Sequence, residues 1–174
     1  MAPTTHQGPQ PLSGQTLHRR IHRAVKFGAW CFLLVGVLHL AVMAASAMRT
    51  TSAPTQRALH AMHAVPVTLV GITRDMAMLY YGFSATMAVV AIGYGAINLI
   101  VARLAPEVFV RGTAMLWANL VVAAAALLIA ALAFPAPPIV ALAAAVGAYA
   151  YALVVAGRRS RDLHPTRPLR DYQP

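Results

Sequence analysis

The sequence predicts an all-α, polytopic membrane protein: a four-transmembrane-helix bundle with both termini cytoplasmic. Three observations predict it. Four apolar stretches, residues 27–48, 76–102, 113–134 and 139–156, carry no charged side chain. Each approaches or exceeds the roughly 20 apolar residues that an α-helix needs to cross a hydrocarbon core about 30 Å thick. The basic residues cluster beside these stretches, eleven near the termini and the second connection against three in the first connection. Lys and Arg are retained on the cytoplasmic side of a membrane, so this asymmetry sets both termini inside. Finally, Pro135-Ala136-Pro137-Pro138 is so short a link that the last two stretches must form an antiparallel hairpin.

Residues 1–17 are rich in Pro, Gln, Thr and Gly and nearly devoid of large apolar side chains. Such a segment buries too little surface to offset its ordering entropy and is expected to be a disordered tail. A basic collar comes next, with Arg19, Arg20, Arg23 and Lys26 at residues 18–26, an amphipathic start to the first helix. Residues 18–157 make up the transmembrane domain, and residues 158–174 are a basic C-terminal tail. The first apolar stretch has 22 residues, longer than the roughly 7–15 of a signal peptide. Ala45-Ser46-Ala47 resembles a cleavage site, but the length favours an uncleaved helix.

The first connection, residues 49–75, is the only long one. Pro54-Thr55 reads as a helix start. Leu59, Met62, Pro66 and Leu69 recur at spacings of three and four, which suggests a short amphipathic segment on the outer surface. Pro66 argues for an irregular loop instead. The second span would extend about 40 Å at 1.5 Å per residue, so it should tilt or project. Pro106 suits the first turn of the third helix, and Glu107 and Arg111 form an i,i+4 pair.

Composition excludes several functions. Hydrophobic residues are 59% and charged residues 10% of the chain, against about 25% charged in soluble domains. The net charge of +10 belongs to membrane-flanking clusters, so nucleic acid is not an expected partner; the lipid bilayer is. The single cysteine, Cys31, allows no internal disulfide. No Asp or Glu lies inside a span, which counts against a proton-coupled exporter. There is no phosphate-binding loop, zinc-protease motif or paired carboxylate, and Gly82-Phe83-Ser84 is not a nucleophile elbow.

Lipid tails are as apolar as leucine, so close backbone approach and interhelical hydrogen bonds must hold the bundle. Small-residue ridges supply the first: Ala85…Gly93 and Ala91-x-x-x-Gly95, Ala123–Ala126 with Ala130, then Ala143-x-x-x-Gly147 and Ala144-x-x-x-Ala148. They serve packing within one chain, a homo-oligomer or a partner membrane subunit. Asn98, Asn119 and Tyr94 are expected to bond across the second and third helices.

His39 is the candidate functional residue. It lies about 2 Å from the centre of the first span by helical rise, and an intramembrane ionisable group is a functional hypothesis. Gly36, His39, Met43 and Ser46 share one small, polar face. By depth, Thr86 and Tyr149 fall near His39. The arrangement suits a neutral histidine donating an interhelical hydrogen bond, or a site for haem or quinone. Membrane b-type haem usually takes two axial histidines, and His39 is the only one inside, so no cofactor is predicted. His60 and His63 are i,i+3 neighbours in the first connection. With Met43, Met48, Met62, Met76 and Met78 toward the same face they form a weak copper-like ligand set.

Gly36-Val37-Leu38-His39, the segment Asp75–Ser84 ending in Gly82-Phe83-Ser84, and Gly95-Ala96-Ile97-Asn98-Leu99 together resemble a group of small, uncharacterised bacterial four-helix inner-membrane proteins. The resemblance covers residues 27–155. It implies the architecture, a multi-pass location in the bacterial inner membrane, and pairing of His39 with the helix that carries Gly82-Phe83-Ser84. It implies no reaction. The expected function is therefore that of a non-enzymatic structural or partner-interacting subunit. The alternatives are a redox or small-molecule-binding protein centred on His39, and a small transporter.

Overall fold

A computed structural model describes residues 14–49, 52–111 and 113–163. The elements are α1 (Gly14–Met48), α2 (Ala53–His63), β1 (Pro66–Leu69), β2 (Ile72–Asp75), α3 (Met76–Leu104), α4 (Val108–Arg111), α5 (Thr113–Ala133) and α6 (Ala136–Leu163). Four of them, α1, α3, α5 and α6, are long and apolar enough to cross a membrane. Their exteriors are apolar too: Leu38, Val42, Phe83, Val90, Leu128 and Leu132 are each more than half exposed. Water does not tolerate so continuous an apolar surface, whereas lipid does.

α1 is longer than its apolar stretch. It begins at Gly14, so residues 14–17 are helical rather than disordered; residues 1–13 lie outside the described residues. The collar is helical because its apolar positions are spaced for it. Ile21 and Val25 are fully buried and Leu17 packs on the core, while Arg19, Arg20, Arg23 and Lys26 are exposed. Likewise α6 continues to Leu163, beyond the point where the C-terminal tail was expected to start. Pro106 precedes the one-turn α4 rather than opening α5. The Glu107–Arg111 pair lies outside the described side chains.

α1 is the central helix, packed on α3 along one side and on α6 along another, and α5 packs on α6. The α3–α5 side has no comparable backbone approach. The bulky core is concentrated at the arginine-rich end. Its largest fully buried side chains are Tyr149, Phe109, Ile21, Leu116 and Val25. Farther along, α1 and α3 approach through glycine. A Cβ at Gly36 would lie 2.6 Å from the Ala88 carbonyl oxygen, and one at Gly95 would lie 2.7 Å from that of Ala29. Of the other expected ridge residues, Ala123 and Ala130 are buried in the core, whereas Gly93 and Gly147 face elsewhere: a Cβ at either meets nothing within 4 Å.

The first connection starts with a helix at Pro54-Thr55, as its sequence suggests, since α2 opens at Ala53, but from Pro66 onward it is a strand pair, neither a continued amphipathic segment nor an irregular loop. α2 ends at His63 because Pro66 pushes the residue before it into extended backbone. β1 and β2 then pair as an antiparallel hairpin in the register Thr68↔Thr73, with the Thr68 and Thr73 hydroxyls 2.9 Å apart. Its two-residue loop has φ of 50° at Val70 and 80° at Gly71. Two successive positive φ angles are the signature of a type I′ turn, whose twist matches that of paired strands. Gly71 adopts this freely; Val70 is strained, since a β-branched residue rarely enters the left-handed region.

Asp75 joins the hairpin to α3. Its Oδ1 accepts from the Met78 amide at 2.7 Å, capping the helix, and its Oδ2 lies 3.3 Å from His63 Nδ1 on α2. The Met78 amide, with a smaller contribution from His63, holds the Asp75 carboxyl below the usual carboxylate range. A depressed carboxylate stabilises only while ionised. The cap is therefore fully present above the ordinary carboxylate range and is lost as pH falls through the lowered value. Asp75→Ala should speed amide exchange at Met78 at neutral pH, relative to amides in the middle of α3. Unchanged exchange there would mean the cap does not hold the helix start.

Candidate functional site

His39 meets α3, but neither of the partners assigned to it by depth. Its Nε2 lies 2.8 Å from the Ser84 hydroxyl, and its ring stands edge-on to Phe134, centroids 6.3 Å apart. Phe134 directly follows α5, so the α5–α6 turn is level with His39, and His39 sits near that end of the four-helix region rather than at its centre. The expectation of a central histidine took the apolar stretch of α1 as the whole bundle, whereas α1 projects beyond the α5–α6 hairpin by nine residues.

Thr86 turns back on its own helix, its hydroxyl donating to the Gly82 carbonyl at 2.8 Å, and is exposed. Tyr149 is fully buried against Gly28, where a Cβ would lie 2.8 Å from the phenol Cζ. Gly28 and His39 are eleven residues apart on α1, about 16 Å at helical rise, so Tyr149 does not reach His39. Gly36 is buried, and the space beside it is taken by Ala88 and Ile92 of α3. The residue that sequence reasoning left unassigned to a site is Ser84. The one signal for it was the resemblance that paired its helix with His39.

A serine hydroxyl bonded to an imidazole is half of a nucleophilic arrangement. Two further parts are needed: a group that orients the far ring nitrogen, and donors for a developing oxyanion. Among the described residues no partner is recorded for His39 Nδ1. Ser84 lies inside α3, where neighbouring backbone N–H groups are already used in helical bonds. What the structure shows is one side-chain bond joining α1 to α3. A haem or quinone held by His39 Nε2 would have to displace Ser84, and the cleft at Gly36 is occupied by α3.

A second polar group lies toward the arginine-rich end. The Tyr94 hydroxyl donates to Asn119 Oδ1, bridging α3 to α5 across the side with no close backbone approach. Phe32 of α1 backs the Tyr94 ring, with centroids 4.7 Å apart. Both asparagines spend their amide N–H groups on their own helices: Asn119 to the Met115 carbonyl at 2.8 Å, Asn98 to the Tyr94 carbonyl at 3.0 Å. Of the three residues expected to bond across, Tyr94 and Asn119 do and Asn98 does not. Asn98 Oδ1 and the Tyr149 hydroxyl are buried without a protein partner.

His60 and His63 both lie exposed on α2, and His63 is directed to Asp75. Among the described residues no three His, Cys, Asp or Glu side chains converge as a metal site. No protein-family model matches the chain, and none of the curated proteins or solved structures matches it either.

Proposed function

We propose that the chain is a non-enzymatic multi-pass protein of a bacterial inner membrane, acting as a structural subunit that packs with itself or with a partner membrane subunit. The observation that carries this reading is the use made of its intramembrane polar groups. The His39–Ser84 and Tyr94–Asn119 side-chain bonds each tie two of the long helices together. Such bonds are the glue of membrane bundles. The apolar exterior of α5 (Val121, Leu128, Leu132) offers a surface for a second bundle as readily as for lipid. The orientation, both termini cytoplasmic, rests on the basic residues that flank the helices.

The test uses purified full-length protein in mild detergent. Wild type and His39→Ala should both be colourless, and a serine-directed fluorophosphonate should leave Ser84 unmodified. A photo-crosslinker at Leu128 in native membranes should yield one discrete protein adduct, and a reporter fused after residue 174 should read cytoplasmic. A Soret band lost in His39→Ala would replace this reading with a redox protein. Lipid adducts alone at Leu128, and at matching positions on the other helices, would remove the partner.

A further inference from the structure

The lateral seam between α1 and α6 holds a groove of about 410 Å³ at the arginine-rich end, within the size range of small-molecule sites. α1 contributes Arg20, Arg23 and Phe27 to it, and α6 contributes Ala144, Gly147 and Ala148. The groove exists because α6 presents small residues there: a Cβ at Gly147 meets nothing within 4 Å. Its chemistry is divided along its length. Arg20 and Arg23 are a helical turn apart and exposed, and among the described residues neither pairs with a carboxylate. The remainder of the lining is apolar apart from the hydroxyl of Tyr151.

The geometry points to this groove as a binding site for one anionic phospholipid, its phosphate held by Arg20 and Arg23 and an acyl chain lying along Phe27 and Gly147. Guanidinium groups bind phosphate through paired N–H donors in a fixed fork. Long arginine side chains also keep their charged heads at the level of lipid headgroups while their stems lie on apolar surface. Basic pockets between helices are a recognised setting for anionic headgroups. A zwitterionic lipid carries the same phosphate, but its ammonium is repelled by the arginine pair. The basic collar alone predicts loose adhesion of many anionic lipids; the groove predicts one lipid, and predicts that shape matters as well as charge.

The inference is independent of what the protein does in the membrane. Its test is native mass spectrometry of the full-length protein with phosphatidylglycerol or phosphatidylcholine of identical chains. Phosphatidylglycerol should remain as a single-lipid adduct and phosphatidylcholine should not. Removing both charges in Arg20→Gln/Arg23→Gln should weaken the adduct by roughly fivefold per arginine. Gly147→Leu keeps every charge and fills the groove, and should weaken it severalfold. Ala148→Leu provides a second filling variant if the first fails to fold, with circular dichroism confirming helicity. An adduct unaffected by filling would reduce the site to collar adhesion and overturn the proposal. Equal retention of both lipids would overturn it too, as would inorganic phosphate displacing the lipid, which would reveal a free-anion site.

Discussion

Gly95→Leu is expected to break the α1–α3 seam and leave the purified protein unable to hold its native bundle, whereas Gly93→Leu, two residues away on the same helix, should be tolerated. The difference is what a side chain would strike. At Gly95 a Cβ would come within 2.7 Å of the Ala29 carbonyl oxygen and 2.8 Å of the Leu33 amide nitrogen. Both are backbone atoms of a central helix, so neither can rotate aside, and the whole of α1 must move. Overpacking of a tight core costs about 1–3 kcal/mol and occasionally more, and a leucine against backbone belongs at the upper end. Gly36 mirrors Gly95, facing the Ala88 carbonyl and the Ile92 amide, so Gly36→Leu should behave alike. At Gly93 nothing lies within 4 Å, and replacing glycine in a helix interior removes a penalty of roughly 0.5–1 kcal/mol. Unfolding in mixed micelles at increasing fractions of denaturing detergent measures all three. Equal losses for Gly93→Leu and Gly95→Leu would mean that α3 is rotated about its axis, with Gly95 no longer facing α1.

The contrast between those two glycines also marks what the sequence could and could not convey. The existence of four long apolar helices was legible because a charge-free run of this length has few other folded uses. Where those helices end was less so. Hydropathy marks the part of a helix that suits hydrocarbon, not the helix itself, and the polar turns at Gly14–Lys26 and beyond Arg158 are helical while bearing charge. Rotation about the axis was not legible at all. Small residues occur on every face, so Ala143-x-x-x-Gly147 looked like Ala91-x-x-x-Gly95, yet Gly95 is buried in a seam and Gly147 is exposed.

The candidate site failed at the same level. His39 stood out because an ionisable group in an apolar run is expensive, and that reasoning needs no structure. Its neighbours depend on how far each helix slides along the next. Assigning depth from the ends of apolar stretches placed Tyr149 beside His39. The contacts instead set Tyr149 on Gly28 and Phe134 at His39. The hairpin escaped for a different reason. Leu59 and Met62 do share a face of α2, but Pro66 and Leu69 continue that spacing by coincidence, and Val70-Gly71 lacks the Asn-Gly or Asp-Gly pair that usually announces a type I′ turn.

Tyr149 offers the second large effect, and a pair of substitutions separates its two roles. The ring is the largest fully buried side chain of the bundle, at 0% exposure, and it lies on Gly28 where α6 crosses α1. Tyr149→Ala leaves a cavity that rigid helices close only in part, so a loss of about 3–5 kcal/mol is expected, by analogy with other aromatic truncations. The hydroxyl is a separate matter. It is buried and has no protein partner, and a buried polar group without a partner costs about 1–3 kcal/mol. Tyr149→Phe removes that penalty while keeping the ring, and should leave stability unchanged or raise it. If Tyr149→Phe instead destabilises as a broken hydrogen bond would, the hydroxyl is engaged in the membrane by something other than this chain. Asn98 Oδ1 is the other buried atom without a protein partner, and Asn98→Leu should then lose stability together with Tyr149→Phe. A coupling between the two in a double-mutant cycle would show that both depend on one shared interaction. Independence of the two would leave Tyr149 as a packing residue, and His39–Ser84 and Tyr94–Asn119 as the polar joints of a bundle built to hold its shape.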